Sequence, residues 1–357
     1  MSVFYRYARM FTLAVLVSVI YVTACAAQSF NVQAFSTGTG LGATSPDSVS
    51  FSDGSVWISY QNGADSTGLF GSSTVVRYSL SGAIQNNWSI AGNVDGLKVD
   101  PASGLVWALQ NNDGNSTMTV INPTTTGTTL YTYGNTYTNV ANRGFDDAVF
   151  SKGKTFLSET NPTGPTDPIV HRLTTGLASP LQVSGILNST FTGTNLATGK
   201  VVSDTINDSD SLVLTPKGDL ALTGEADQQI VFIHNPGQPS QSQSFINLLA
   251  VGGNPINGKV DDTAYATATT GYFILSDTGA NTVNKITATG LTVGSVFVDV
   301  GNEFGSLDLT TGIVTPIWTG TSPHGLEFVP TLESGTLVML ASGVIGLAGT
   351  LRRRLNR

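Results

Sequence analysis

The sequence contains a single cysteine, Cys25, at the edge of the N-terminal hydrophobic stretch. A disulfide or a cysteine-based zinc site within one chain is therefore excluded. The sequence also lacks G-x-S-x-G, H-E-x-x-H, P-loop and C-x-x-C motifs. The common hydrolase, metalloprotease and nucleotide-binding classes accordingly have no support from motifs.

Charged residues are scarce, at 11% of the chain, whereas glycine occurs 40 times among long Thr, Ser and Asn stretches. Surface helices need Lys, Glu and Leu, so this composition predicts an all-β body. Six of the 16 basic residues lie at the chain ends. The segment between them contains the other ten basic residues and nearly all of the 24 acidic residues. The body is therefore acidic, which argues against nucleic-acid binding and favours cations or neutral partners such as glycans.

Residues 1–27 have the layout of a secretory signal peptide. The basic residues Arg6 and Arg9 precede an apolar stretch over 11–22, and small residues follow it. This order predicts export, with cleavage that leaves a mature chain starting near Gln28. Two alternatives remain open: a lipobox in which Cys25 is acylated, and an uncleaved membrane anchor.

The C-terminal residues 331–357 form a second targeting segment. Residues 336–351 carry no charge and would span about 24 Å as a helix, just short of a hydrocarbon core. A basic cluster follows, which the positive-inside rule keeps in the cytoplasm. That cluster comprises Arg352, Arg353 and Arg354. The alternative is a buried C-terminal core helix, which the absence of polar residues other than Ser and Thr disfavours.

The tail resembles a PEP-CTERM sorting signal, in which a short motif precedes an apolar helix and an arginine cluster. Glu333 stands in Leu-Glu-Ser where that family has Pro-Glu-Pro, so this chain keeps only the glutamate. The resemblance implies recognition by exosortase, a membrane protease, often alongside exopolysaccharide production. It further implies membrane anchoring before processing and a cell-surface or extracellular location afterwards.

Residues 28–330 form the body, in which a short pattern recurs six times. Each copy begins with an acidic residue or a histidine, and mostly apolar positions alternate after it. The first residues of the copies, at intervals of 48, 51, 64, 51 and 63 residues, are Asp47, Asp95, Asp146, Asp210, Asp261 and His324. This pitch predicts a β-propeller with one four-stranded blade per copy, six blades in all within a range of five to seven.

Glycine turns and second apolar segments follow the first five copies, as expected for hairpins within each blade. In the fifth copy the turn is formed by Thr270 and Gly271, and the predicted second strand is 272–275. We expect the segment 30–35 to close the ring against strands from the end of the body, because an open ring would expose its edges. A pair of β-sandwiches is the alternative architecture.

Three segments resemble parts of NHL repeats. Residues 276–286 are similar to the signature of that family, and the segments at Pro46 and Pro323 resemble its blade openings. The resemblance implies a six-bladed propeller of the NHL, gluconolactonase or virginiamycin B lyase type. Lactonases of this superfamily hold a metal through Glu, Asn and Asp residues, and virginiamycin B lyase relies on histidine, which makes His324 the histidine to test. The other two, His171 and His234, lie in strand-like contexts that indicate structural roles.

If each copy opens an innermost strand, its first residue lies at one mouth of the central channel. Carboxylates that converge there repel one another, and Ca²⁺, which prefers oxygen ligands, would relieve the repulsion. The set predicted to bind a metal or polar ligand is Asp47, Asp95, Asp146, Asp210, Asp261 and His324. The alternative is that each Asp caps its own turn by accepting a backbone N–H two residues on.

Two functions fit these features. The first is a non-catalytic surface or matrix protein that binds a glycan or a protein partner, with tryptophans stacking on sugars, or that acts as a scaffold for other surface proteins. Among the tryptophans, Trp88 and Trp318 remain candidates, whereas Trp57 and Trp107 occupy equivalent second-strand positions typical of a core. The second function is a metal-dependent lactonase or lyase at the channel mouth.

Overall fold

The computed structural model describes residues 27–134 and 141–331, and these form a six-bladed β-propeller. A single 3₁₀ turn, Thr39–Leu41, is the one helical element in the described part of the chain. The first strand, β1 (Ser29–Ser36), belongs to the last blade. The predicted all-β class and the count of six blades are confirmed.

Blades 1 to 3 are four-stranded antiparallel sheets whose strands follow one another along the chain, from the channel outward. Blade 1 contains β2 (Pro46–Ser52), β3 (Ser55–Tyr60), β4 (Ser72–Ser79) and β5 (Ile84–Ala91). Blade 2 contains β6 (Val94–Val99), β7 (Val106–Gln110), β8 (Thr117–Ile121) and β9 (Thr128–Thr132). Blade 3 contains β10 (Phe145–Ser151), β11 (Lys154–Glu159), β12 (Pro168–Leu173) and β13 (Val183–Asn188).

Blade 4 carries an extra hairpin, which accounts for the 64-residue interval before it. The hairpin is β14 (Thr190–Asn195) and β15 (Val201–Thr205), and β14 adds in parallel to the outer edge of the blade. The blade itself contains β16 (Ser209–Leu214), β17 (Leu220–Gly224), β18 (Gln229–His234) and β19 (Ser242–Asn247).

Blades 5 and 6 are interlaced, which the sequence did not predict. After the inner strand of blade 5 the chain crosses to blade 6, forms its second and third strands, and returns to complete blade 5. In chain order these strands are β20 (Val260–Tyr265), β21 (Thr270–Asp277), β22 (Thr282–Thr289), β23 (Val296–Val300), β24 (Glu303–Leu307), β25 (Val314–Thr319) and β26 (Pro323–Pro330). Blade 5 has the order β20-β23-β24-β25, and blade 6 has the order β26-β21-β22-β1.

The prediction that 272–275 is the second strand of the fifth copy is therefore wrong, since this segment lies in β21, which pairs with β26 instead. The expected ring closure by the N-terminal segment is confirmed, because β1 pairs with β22 at the outer edge of blade 6. One sheet thus combines the two ends of the described chain, which leaves no open gap between the first and last blades.

The core lies between the blades rather than at a single centre. Six clusters of buried apolar side chains fill the six interfaces between neighbouring blades. The second strands are buried on both faces, as in β3 and β7, and this explains their continuous apolar stretches. Trp57 stacks on Trp88 at 5.3 Å, and Trp107 packs edge-on against Phe150 at 4.8 Å. All three of these tryptophans are buried, so the expectation that Trp88 stacks on sugars is wrong.

Candidate cation site in the central channel

The six inner strands surround a channel in the ring order β2, β6, β10, β16, β20, β26. Each inner strand has a register shift at its motif, where it departs from regular pairing with the second strand. Bulges of this kind redirect side chains away from the sheet. Here the same irregularity in every blade accompanies a motif residue that faces the channel.

One mouth of the channel contains a cavity of about 150 Å³ with strongly polar walls. The first motif residue of every blade lines it: Asp47, Asp95, Asp146, Asp210, Asp261 and His324. The structure therefore brings together all six residues that the sequence singled out. We refer to this end of the channel as the acidic mouth.

Three carboxylates of the acidic mouth approach one another most closely. Asp95, Asp146 and Asp210, from blades 2, 3 and 4, each place an oxygen within 4.8 Å of the others. Asp146 is 3% exposed, and neither of its carboxylate oxygens forms a hydrogen bond. The Asn112 side chain partly offsets the rise in the pKa of Asp146. Oxygen atoms at this spacing suit a hard cation such as Ca²⁺.

Burial and mutual repulsion make these carboxyl groups hard to ionise. Burial raises the pKa of Asp95 to about 6. It also raises the pKa of Asp146 well above its ordinary value, and the Asp95 charge adds to this. The pKa of Asp210 is raised in the same way, first by burial and then by Asp261 and Asp146. A bound cation would take the place of the protons that otherwise neutralise the cluster.

The other side of the acidic mouth holds an ion pair. His324 Nε2 lies 3.7 Å from Asp261 Oδ1, and His324 Nδ1 is 3.1 Å from the carbonyl oxygen of Ser322. The Asp261 charge raises the pKa of His324 to about 10, so the imidazole is protonated at neutral pH. His324 therefore forms an ion pair with Asp261, on the other side of the acidic mouth from the triad of carboxylates.

The turn-capping alternative is wrong for at least two of the aspartates. Asp95 Oδ1 accepts a hydrogen bond from Gln61 Nε2 at 3.0 Å, and Gln61 lies in the neighbouring blade. Asp261 Oδ2 accepts the backbone N–H of Gly325 at 3.0 Å, also from the neighbouring blade. Both carboxylates therefore link blades and do not close their own turns.

The aspartates that directly follow the motif starts in blades 3 and 5 link neighbouring inner strands by hydrogen bonds. The sequence analysis did not predict this role. Asp147 Oδ2 accepts the N–H of Leu212 at 3.0 Å, and Asp262 Oδ2 accepts the N–H of Leu326 at 2.8 Å. Each bond runs from an odd-numbered blade to the next blade. The repeated Asp-Asp pairs at 146–147 and 261–262 were the available signal.

The side chain of Lys98 lies between the two ends of the channel. Its Nζ lies 3.1 Å from Asp147 Oδ2, and its side chain lines both the acidic mouth and the cavity at the opposite end. Although burial opposes its charge, Asp147 and Asp262 raise the pKa of Lys98, which therefore stays protonated. The ion pair thus divides the channel into two compartments.

The two other histidines lie away from the acidic mouth. His171, in β12, pairs with the buried carboxylate of Glu159. His234, in β18, contacts Asp219 and Ser244 at 2.9 Å each. Neither histidine lines the channel.

The predicted targeting residues fall outside the described ranges. These residues are Cys25, Glu333, Arg352, Arg353 and Arg354. Across 27–134 and 141–331, none of the helical structure has the length and apolar character needed to cross a membrane.

No protein-family model and no curated protein matches this sequence. Among solved structures, a catalytically inactive virginiamycin B lyase from Staphylococcus aureus with quinupristin matches with a TM-score of 0.50. It is 14% identical over 83% of this chain and 92% of that one. The selenomethionine form of virginiamycin B lyase from the same organism has a TM-score of 0.49 at 13% identity, covering 83% and 92%. The periplasmic gluconolactonase of Pseudomonas aeruginosa has a TM-score of 0.45 at 15% identity, covering 80% and 89%. The chain is therefore a six-bladed β-propeller, and its fold resembles that of virginiamycin B lyase.

Proposed function

We propose that the acidic mouth binds a divalent cation of the calcium type, through which an exported surface propeller holds an oxygen-rich ligand such as a glycan. The observation that carries this proposal is the cluster of Asp95, Asp146 and Asp210 oxygens within 4.8 Å of one another. Three carboxylates at this separation, one buried and two half-buried, are costly without a counter-charge, and carboxylate oxygen is the ligand that Ca²⁺ prefers.

The size of the cavity supports a ligand that enters only in part. About 150 Å³ holds a cation with several waters, or the hydroxyl groups of one sugar unit, but not a large cyclic substrate. Polar side chains of Gln61, Asn112 and Thr160 line the same walls and offer further hydrogen-bonding groups. The end of a glycan could enter this cavity, where its hydroxyl groups would replace water molecules bound to the cation.

A second candidate is a cation-dependent lactonase or lyase, favoured by the His324–Asp261 pair in the same cavity. A cation on the triad would polarise an ester carbonyl, and a nearby imidazolium could donate a proton to the leaving oxygen. The Asp261 carboxylate would hold the ring in position at 3.7 Å. This candidate differs from the first in that it requires turnover.

The experiment is calorimetric titration of the full-length, chelator-treated chain with Ca²⁺ and with Zn²⁺. We expect Ca²⁺ to bind at one site, and both Asp146→Asn and Asp210→Asn to weaken binding by at least tenfold, about 1.4 kcal/mol. Asp308→Asn, a change at an exposed turn, is the control and should bind as the wild type does. Absence of cation binding to the wild type would remove both candidates.

Turnover separates the two candidates. The wild-type chain with Ca²⁺ is offered a panel of lactones, and His324→Gln is assayed beside it. The binding candidate predicts no hydrolysis or elimination with either protein. The enzyme candidate predicts turnover that is lost on chelation and in His324→Gln while Ca²⁺ affinity is kept.

Export and sorting complete the proposal: cleavage before Gln28 or acylation of Cys25, then recognition of the tail near Glu333 by an exosortase-type protease. The described chain begins in β1 and ends after β26, and Ser29 and Pro330 lie at the same end of the blade 6 sheet. That end is opposite the acidic mouth, because β26 begins at the mouth and runs away from it. A C-terminal anchor would therefore leave the acidic mouth facing away from the membrane. Mass spectrometry of the mature termini tests this part, and an intact full-length chain at both ends would refute it.

A further inference from the structure

The channel has a second cavity at the end opposite the acidic mouth, with a volume of about 320 Å³. All six inner strands contribute to it, through the residues three and four positions after each motif start. Its volume reaches the lower end of the range found for small-molecule sites. We call it the lower cavity.

The side chains of the lower cavity are arranged in two halves. Three positions after the motif start, blades 6, 1 and 2 carry Glu327, Ser50 and Lys98, whereas blades 3, 4 and 5 carry Val149, Val213 and Ala264. These blades are consecutive around the ring, so the polar residues face the apolar ones across the channel.

The next residue along each strand is apolar in all six blades and also lines the cavity. These residues are Phe51, Val99, Phe150, Leu214, Tyr265 and Phe328. A ligand of the lower cavity would therefore meet apolar walls on its way to the polar half.

Negative charge is in excess beside the polar half. Lys98 is the one cation among the described residues that line the lower cavity, and Asp147, Asp262 and Glu327 all act on it electrostatically. Asp147 forms the ion pair with Lys98, and Asp262 bonds a backbone N–H, so Glu327 is left with no side-chain donor among the described residues. Burial raises the pKa of Glu327 to about 7; the Lys98 charge opposes this rise, and the charges of Asp262 and Asp147 add to it. A second cation next to Glu327 would offset this repulsion.

We propose that the lower cavity binds a small amphipathic amine, whose ammonium group pairs with Glu327 and whose apolar body packs against Val149, Val213 and Ala264. The apolar half excludes a simple metal ion as the natural ligand, because a hydrated ion gains nothing from valine side chains. The surplus of carboxylates disfavours an organic anion in the same place.

The acidic mouth also attracts amines, so the experiment must distinguish the two ends of the channel. The full-length chain is titrated by calorimetry with 2-phenylethylamine, with uncharged 2-phenylethanol and with methylamine, which has no apolar body. Glu327→Gln removes the proposed charge, and Asp146→Asn removes a charge at the acidic mouth only. Glu303→Gln, in β24 of blade 5, is the matched control for the Glu-to-Gln change.

We expect 2-phenylethylamine to bind the wild type, Asp146→Asn and Glu303→Gln equally, and Glu327→Gln at least tenfold more weakly. The alcohol and methylamine should each bind at least tenfold more weakly than 2-phenylethylamine. Val213→Thr, which keeps the shape but adds a hydroxyl, should also weaken binding. The proposal is overturned if 2-phenylethylamine fails to bind at about 1 mM, if the alcohol binds as well, or if Asp146→Asn rather than Glu327→Gln abolishes binding.

Discussion

Replacing Asp95 by asparagine should stabilise the cation-free protein at alkaline pH, although the change removes a residue of the proposed site. Burial raises the pKa of the Asp95 carboxyl from 3.8 to about 6. A raised pKa means that the folded state binds the proton more tightly, so the stability present below pH 3.8 is lost as the pH rises through 6. The difference of about 2 pKa units corresponds to about 3 kcal/mol at pH 8.

Asparagine removes this cost while keeping an oxygen that accepts the Gln61 Nε2–H group, now 3.0 Å from Asp95 Oδ1. Urea denaturation in the presence of a chelator measures the effect at pH 8 and pH 4. We expect Asp95→Asn to raise the free energy of unfolding by up to about 3 kcal/mol at pH 8 and by much less at pH 4.

Asp308→Asn is the control, because hydrogen bonds from Thr310 lower the pKa of this exposed carboxyl rather than raising it. It should bring no gain in stability at pH 8. Saturating Ca²⁺ should reverse the ranking of Asp95→Asn and wild type, since only the wild type keeps the full set of ligands. Destabilisation by Asp95→Asn at pH 8 without a cation would refute the reasoning, because it would mean that the carboxylate is already satisfied by the protein.

Three further predictions concern stability. Ca²⁺ at 100 times its dissociation constant should stabilise the wild type by about 2.7 kcal/mol in urea denaturation, and no shift would contradict a cation site. Gly325→Ala should cost more than about 4 kcal/mol, because a Cβ there would lie 2.0 Å from the Asp47 carbonyl oxygen at a φ of 34°. Gly54→Ala, with a φ of 70° and open space around it, should cost only about 1–2 kcal/mol, and equal losses would contradict the close approach of blades 6 and 1. Asp147→Ala should cost about 3 kcal/mol, because it leaves Lys98 and the Leu212 N–H without this partner, whereas Asp147→Asn, which keeps the acceptor, should cost less.

Much of the ring could be predicted from the sequence because each blade repeats a local pattern. The six motif starts and the glycine turns are short-range features, and they specify inner strands and hairpins for blades 1 to 4. The inner strands lie next to one another in the ring, so the convergence of residues such as Asp95 and Asp146 followed directly from the repeat.

The interlacing of blades 5 and 6 could not be predicted in the same way. Only four residues separate β20 from β21, and such a spacing is typical of a hairpin within one sheet. The chain forms instead the pairing of β21 with β26, whose residues are about 50 positions apart in sequence. Long-range pairing of this kind depends on how the apolar faces of neighbouring blades pack against each other. The local strand propensity of a segment does not determine that packing.

The lower cavity and the links between blades were missed for a different reason. The residues concerned follow the motif starts by one or three positions: Lys98, Asp147, Asp262 and Glu327. In the sequence they cannot be told from the polar residues that normally alternate with apolar ones in a strand. Aligning the six copies would have revealed two charges, Lys98 and Glu327, at a position that is Val, Ala or Ser elsewhere. Their partners were not apparent until the register shifts placed these side chains in the channel.

The most direct test is an anomalous diffraction map of crystals of this protein grown with a lanthanide ion in place of Ca²⁺. The account predicts a single strong peak in the acidic mouth, about 2.3–2.6 Å from carboxylate oxygens of Asp95, Asp146 and Asp210. A map with no peak there, or with peaks only at surface carboxylates, would contradict it.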